Sequence, residues 1–208
     1  MAVSPEAVLK DLKAKKFAPI YFLQGDEPYF IDLITDFIEK NAIPEFERGF
    51  NQLVLYGKDS SISTILNNAR KFPMMAERQL VVVKEAQSIP DWGKEEAQKL
   101  LISYLTNPLP STILVFAYKH KKLDGRSSLK KELEKKSVFV ESEKVKDWKL
   151  TEWIEGYFRE LGHQIVSFSF WHMWRDRLAR TRSTSAVKVA RSASLIPSVA
   201  SATTAFAV

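Results

Sequence analysis

The stretch Leu23-Gln-Gly-Asp-Glu-Pro-Tyr-Phe-Ile-Asp32 stands where nucleotide chemistry would be done: a strand, a turn that begins with glycine, then a helix. Tested against G-x-x-x-x-G-K-[ST], the frame fits and the chemistry fails. Gly25 takes the first position, but Phe30 stands where a second glycine must let backbone approach a phosphate. Ile31 replaces the lysine that reaches the β- and γ-phosphates, and Asp32 replaces the hydroxyl that binds Mg²⁺. Asp26, Glu27 and Asp32 would turn negative charge toward a negative ligand. A turn with Pro28 in the first helical turn, and acids at a helix N-terminus, accounts for the same residues without a ligand.

A second position fails independently. The run Leu80-Val-Val-Val-Lys-Glu85 has the outline of the strand that ends in a Mg²⁺-holding Asp, yet Lys84 stands there, and a cation cannot hold a cation. Gly25, Phe30, Ile31, Asp32 and Lys84 therefore read as a degenerate nucleotide site. Other chemistries have no frame either. The chain has 0 Cys, which removes disulfides, thiolate metal sites and cysteine nucleophiles. His120, His163 and His172 lie far apart without a His-x-x-x-His partner, so no metal site is expected. There is no Gly-x-Ser-x-Gly elbow. No catalytic residue and no cofactor is expected.

The elements that position these residues follow a regular alternation. Strand-like runs occur at Pro19–Leu23, Gln52–Tyr56, Gln79–Val83, Thr112–Phe116 and Ser137–Glu141, all rich in β-branched or aromatic residues. Helical patterns fill the gaps at Tyr29–Lys40, Ser61–Lys71, Lys94–Leu105 and Ser127–Lys136. Strands apolar on both faces, alternating with helices, predict an α/β fold: a mostly parallel sheet of about five strands covered by helices on both sides. This domain occupies residues 1–142, with its three-layer part from about residue 17. From Asp147 a new amphipathic helix, ending at Gly162, predicts the start of a small helical domain over 143–166.

Charge is informative only once located. The 208 residues carry +6, but residues 167–208 hold six cations against the single acid Asp176, which leaves +1 for residues 1–166. That tail contains 8 Ser, 8 Ala and 4 Thr and has no helical or strand period, so it reads as a low-complexity basic tail, disordered or out of frame. Its aromatic start, Phe168 to Trp174, reads as a stretch lacking its partners. The densest basic patch before it, Lys119-His-Lys-Lys122 with Arg126, Lys130, Lys131, Lys135 and Lys136, reads as a solvated face balanced by Glu132 and Glu134. No 18-residue apolar stretch exists, and the N-terminus lacks a signal-peptide pattern, so a cytoplasmic location away from membranes is expected.

Four segments together carry a family resemblance: PIYFLQGDEPYFIDLITDFI, RKFPMMAERQLVVVKEA, STILVFAYKHKKLDGRSSLKKELEKKSVFVE and KDWKLTEWIEGYFRELGH. From about Ser4 to Ile165 the chain resembles the delta subunit family of the bacterial DNA polymerase III clamp loader. The Gly-Asp-Glu-Pro turn and the Pro-led segment before the third strand are its most specific pieces. The resemblance implies an AAA+/RecA-like α/β domain, a helical lid and a C-terminal collar, in a subunit that does not itself hydrolyse ATP. It also implies a hydrophobic pair that enters a pocket of the sliding clamp (beta subunit) and helps open the ring. By motif position the pair is Met74 and Met75, which follow Pro73 and precede Arg78.

On their own terms Met74 and Met75 fit an exposed, adaptable anchor, and equally a cap on the domain's own core. Burying both in a partner would contribute on the order of 3–6 kcal/mol before ordering costs. Phe72 reads as a core residue, with a neighbouring anchor as its alternative. The other implied partners are the remaining loader subunits, and DNA indirectly through the complex. The chain departs from the family beyond Ile165, where the tail stands in place of further amphipathic helices, so the collar is not carried over. Two other readings stay open: a P-loop-type nucleotide hydrolase with a degenerate site, and a nonspecific basic nucleic-acid-binding protein.

Overall fold

Ser4 and Pro5 start a helix that composition alone does not announce. The Ser4 hydroxyl accepts the Ala7 N–H at 3.3 Å, Pro5 takes the first helical position, and α1 runs Pro5–Lys13 with only Val8 and Leu12 buried. The computed structural model describes residues 2–143, which fall within one compact unit ending at Lys144. The helix expected from Asp147, the lid start over 143–166 and the tail 167–208 with its aromatic and arginine clusters lie outside the described residues, apart from residue 143 itself.

The remaining elements are β1 (Ile20–Gly25), α2 (Pro28–Asn41), the short α3 (Arg48–Asn51), β2 (Gln52–Tyr56), α4 (Ile62–Ala69), β3 (Gln79–Lys84), α5 (Glu95–Thr106), β4 (Thr112–Lys119), α6 (Ser128–Lys136) and β5 (Val138–Ser142). The sheet order is β2-β3-β4-β1-β5, and every pair is parallel. Each parallel step requires a crossover, and the helices between the strands supply it.

Strand alternation divides the interior into two cores. Ile20 and Phe22 face a layer with Phe116, Phe139, Ile65 and Leu101, while Tyr21 and Leu23 face Ile31, Ile34, Val82 and Val115. Helices α4, α5 and α6 cover the first face, and α1 and α2 the second. The Phe22 and Phe139 rings stack at 5.7 Å, which locks β1 to β5. Because both faces are buried, the central strands are apolar without a break.

The helix expected over Ser61–Lys71 ends earlier, at Ala69. Pro73 forbids its continuation, and the Gln79 side chain takes the carbonyls that a next turn would have used. Gln79 Nε2 donates to Lys71 O and to Thr112 Oγ1 at 2.7 Å, and Thr112 Oγ1 donates to Ala69 O at 2.9 Å. This buried cluster fixes the point where the chain leaves α4 for the loop 70–78.

Candidate functional site

At the C-terminal end of the sheet the turn after β1 packs closely against β5. Gly25 ends β1 at φ +145°, a conformation that side chains rarely adopt, and a Cβ there would overlap the Ser142 backbone. The Gly25 carbonyl accepts the His120 N–H at 2.9 Å, and Ser142 Oγ donates to the Glu27 carbonyl at 2.7 Å. Glycine is thus required for the close approach of β5. Phe30 and Ile31 point into the protein and are buried, Ile31 completely.

Charge at the same edge is paired internally. Asp32 Oδ1 meets Lys119 Nζ at 2.5 Å, and Lys84 Nζ meets Glu39 Oε1 at 2.9 Å. Burial lowers the Lys84 pKa, but the hydrogen bond and charge of Glu39 outweigh it and hold the ammonium above its ordinary 10.5. Lys122 bonds Glu141 at 3.1 Å and Glu143 at 3.2 Å, and those carboxylates likewise hold its pKa up. Lys130, Lys135 and Lys136 lie within 3.8 Å of Glu134 or Glu132. Much of the basic patch is therefore neutralised by its own neighbours, as the balancing acids imply. Among the described residues no cluster of three or more His, Asp or Glu could hold a metal ion, and no helix is long and apolar enough to cross a membrane.

The opposite, N-terminal end of the sheet presents apolar side chains to solvent. Phe72 is 76 % exposed and Met74 63 %, and Met75 is fully exposed. The reading of Phe72 as a core residue is thereby corrected: Pro73 and the early end of α4 carry the chain outward before Phe72 can turn in. The core-cap alternative for Met74 and Met75 does not hold either. Met75 adopts a left-handed backbone conformation, φ 52°, which a side-chain-bearing residue occupies at a cost unless its surroundings hold it.

The holding contact comes from a residue that sequence reasoning missed. Asn51, 4 % exposed at the end of α3, accepts the Met74 N–H on Oδ1 at 2.6 Å and donates Nδ2–H to the Met74 carbonyl at 3.0 Å. Gln79 fixes the start of the loop and Asn51 its middle, so the methionines are carried on an ordered platform. No local signal marks Asn51, because its partner lies 23 residues away. Glu39, the partner of Lys84, was equally silent in the sequence.

The described residues thus form an all-parallel, five-stranded α/β domain with paired charges at one end of its sheet and an exposed apolar loop at the other. The family model for DNA polymerase III, delta subunit, matches residues 21–143, and the chain belongs to that family. DNA polymerase III subunit delta of Bacillus subtilis (strain 168) is 29% identical over 144 residues, spanning 66% of this chain and 41% of that protein. The solved Bacillus subtilis DNA clamp loader delta protein superposes with a TM-score of 0.67 at 27% identity, covering 78% of this chain and 49% of that one. The chain thus spans less than half the length of either relative.

Proposed function

We propose that the chain is a clamp-contacting subunit that binds the sliding clamp through Met74 and Met75, favours the opened ring and hydrolyses no ATP. The observation that carries this reading is the exposure of Phe72, Met74 and Met75 on a loop held by Asn51 and Gln79. Exposed apolar side chains on ordered backbone have low ordering cost on binding, which is what an anchor needs. Family membership supplies the partner class. Opening follows from differential binding: if the loop fits the open ring better than the closed one, contact free energy shifts the ring population toward open. The close Gly25–Ser142 junction and the Lys84–Glu39 pair support a subunit whose partners handle nucleotide.

The experiment is a calorimetric titration of the full 208-residue chain into the sliding clamp of the same organism, with and without ATP. Binding of equal strength in both conditions is expected. Binding that requires ATP, or ATP hydrolysis by the chain alone, contradicts the proposal.

A further inference from the structure

Two phenylalanines outside the methionine loop lie on the same edge of the sheet. Phe46 is 83 % exposed and Phe50 77 %, among the most exposed large apolar side chains described. They are four residues apart on consecutive helical turns, Phe46 in the single turn Glu45–Glu47 and Phe50 in α3. The segment that bears them is firmly seated. Ile43 is buried beneath it, Arg48 Nη2 donates to Lys40 O at 2.6 Å and Nε to Ile43 O at 3.2 Å, and Asn51 bonds both Met74 and the Glu47 carbonyl. The inward side of the segment is thus satisfied while its outward side offers two aromatic rings.

Phe50 adjoins Asn51, whose side chain is bonded to Met74, so the segment bearing the phenylalanines and the methionine loop are fastened to one buried side chain. The methionine loop alone is small for a stable interface. A standard stable interface buries about 800 Å² per partner. Phe72, Met74 and Met75, at roughly 150–200 Å² each, supply only about 500 Å². Phe46 and Phe50 at a similar area each bring the total to about 800–900 Å².

We propose that Phe46 and Phe50 are a second contact on the sliding clamp, seated on an apolar, charge-poor patch beside the pocket that takes Met74 and Met75. This inference rests on the clamp-binding reading above and extends its footprint from one loop to two segments joined by Asn51.

The test compares the full chain, Phe46→Ala/Phe50→Ala and Met74→Ala/Met75→Ala in titrations against the clamp, with urea midpoints and sedimentation of each chain alone. The phenylalanine variant is expected to bind about fivefold or more weakly, with an unchanged midpoint. Independently, a photocrosslinking benzoylphenylalanine at position 46 is expected to join the clamp, which reports contact even if the alanine variant is destabilised. Full clamp affinity in the phenylalanine variant, beside weakened binding in the methionine variant, overturns the second contact and leaves the first. A change in self-association with unchanged clamp binding assigns the face to a second copy of this chain and overturns the inference. No clamp binding by the parent overturns both readings together.

Discussion

Asn51 and Met74 exchange two hydrogen bonds, Met74 N–H to Asn51 Oδ1 at 2.6 Å and Asn51 Nδ2–H to Met74 O at 3.0 Å, across 23 residues of sequence. A side-chain amide thereby stands in for a neighbouring strand and gives the loop an ordered backbone without a sheet partner. Replacing Asn51 with Ala removes both bonds and opens a small void at a buried position. The expected loss is about 1–2 kcal/mol of stability by urea unfolding, together with weaker clamp binding because the loop must then be ordered on contact. Unchanged affinity with a lowered midpoint would show that the loop needs no preordering.

Gly25 is predicted to be irreplaceable for a reason unrelated to phosphate. At φ +145° and against the Ser142 backbone, an alanine meets both conformational strain and overlap. Gly25→Ala is expected to cost at least about 3 kcal/mol or to prevent folding. Gly93→Ala, with nothing near its added Cβ, is expected within about 0.5 kcal/mol of the parent. Equal urea midpoints for the two variants contradict the account of the junction.

Restoring the missing lysine should not restore a nucleotide site. Ile31 is fully buried in the core beneath α2, so Ile31→Lys places an unpaired cation in an apolar interior. A loss of about 3 kcal/mol or more is expected, with no binding of a fluorescent ATP analogue. A folded variant that binds the analogue would show that the site is merely unfilled.

The pH dependence on the alkaline side has a definite sign. Burial raises Tyr21, Tyr104 and Tyr118 above their ordinary 10.0. Lys84 is raised above 10.5 because Glu39 outweighs burial, and Lys122 is raised by Glu141 and Glu143. Each folded-state pKa exceeds its unfolded value, so the unfolded chain releases its proton first. The stability these groups contribute is complete below about pH 10 and is lost as pH rises through the folded values. Urea midpoints are expected to hold from pH 7 to 9 on account of these groups and to fall by pH 11. A midpoint that rises between pH 9 and 11 contradicts the shifts.

Much of the fold was legible because its signals are local. The five strands fall within a residue or two of the apolar runs, although β1 extends to Gly25 and β4 to Lys119, past the last apolar residue that announces them. Helix α1 was not legible, because a nine-residue helix with two buried side chains differs little from a polar leader. At the site, the failure of the phosphate motif could be read directly, since each required residue has a fixed position relative to Gly25. The pairs Lys84–Glu39, Lys119–Asp32 and Asn51–Met74 could not, because crossover connections bring them together from 23 to 87 residues apart. Phe72 was misread for a related reason: an aromatic beside a helix end looks like core until Pro73 and Gln79 show where the chain turns.

A single titration tests the clamp-binding role proposed for Met74 and Met75. The full chain and its Met74→Ala/Met75→Ala variant, matched for urea midpoint, are titrated into the sliding clamp of the same organism. The parent is expected to bind and the variant to bind at least about tenfold more weakly, a difference of about 1.4 kcal/mol or more. Equal affinity for the two chains would contradict it.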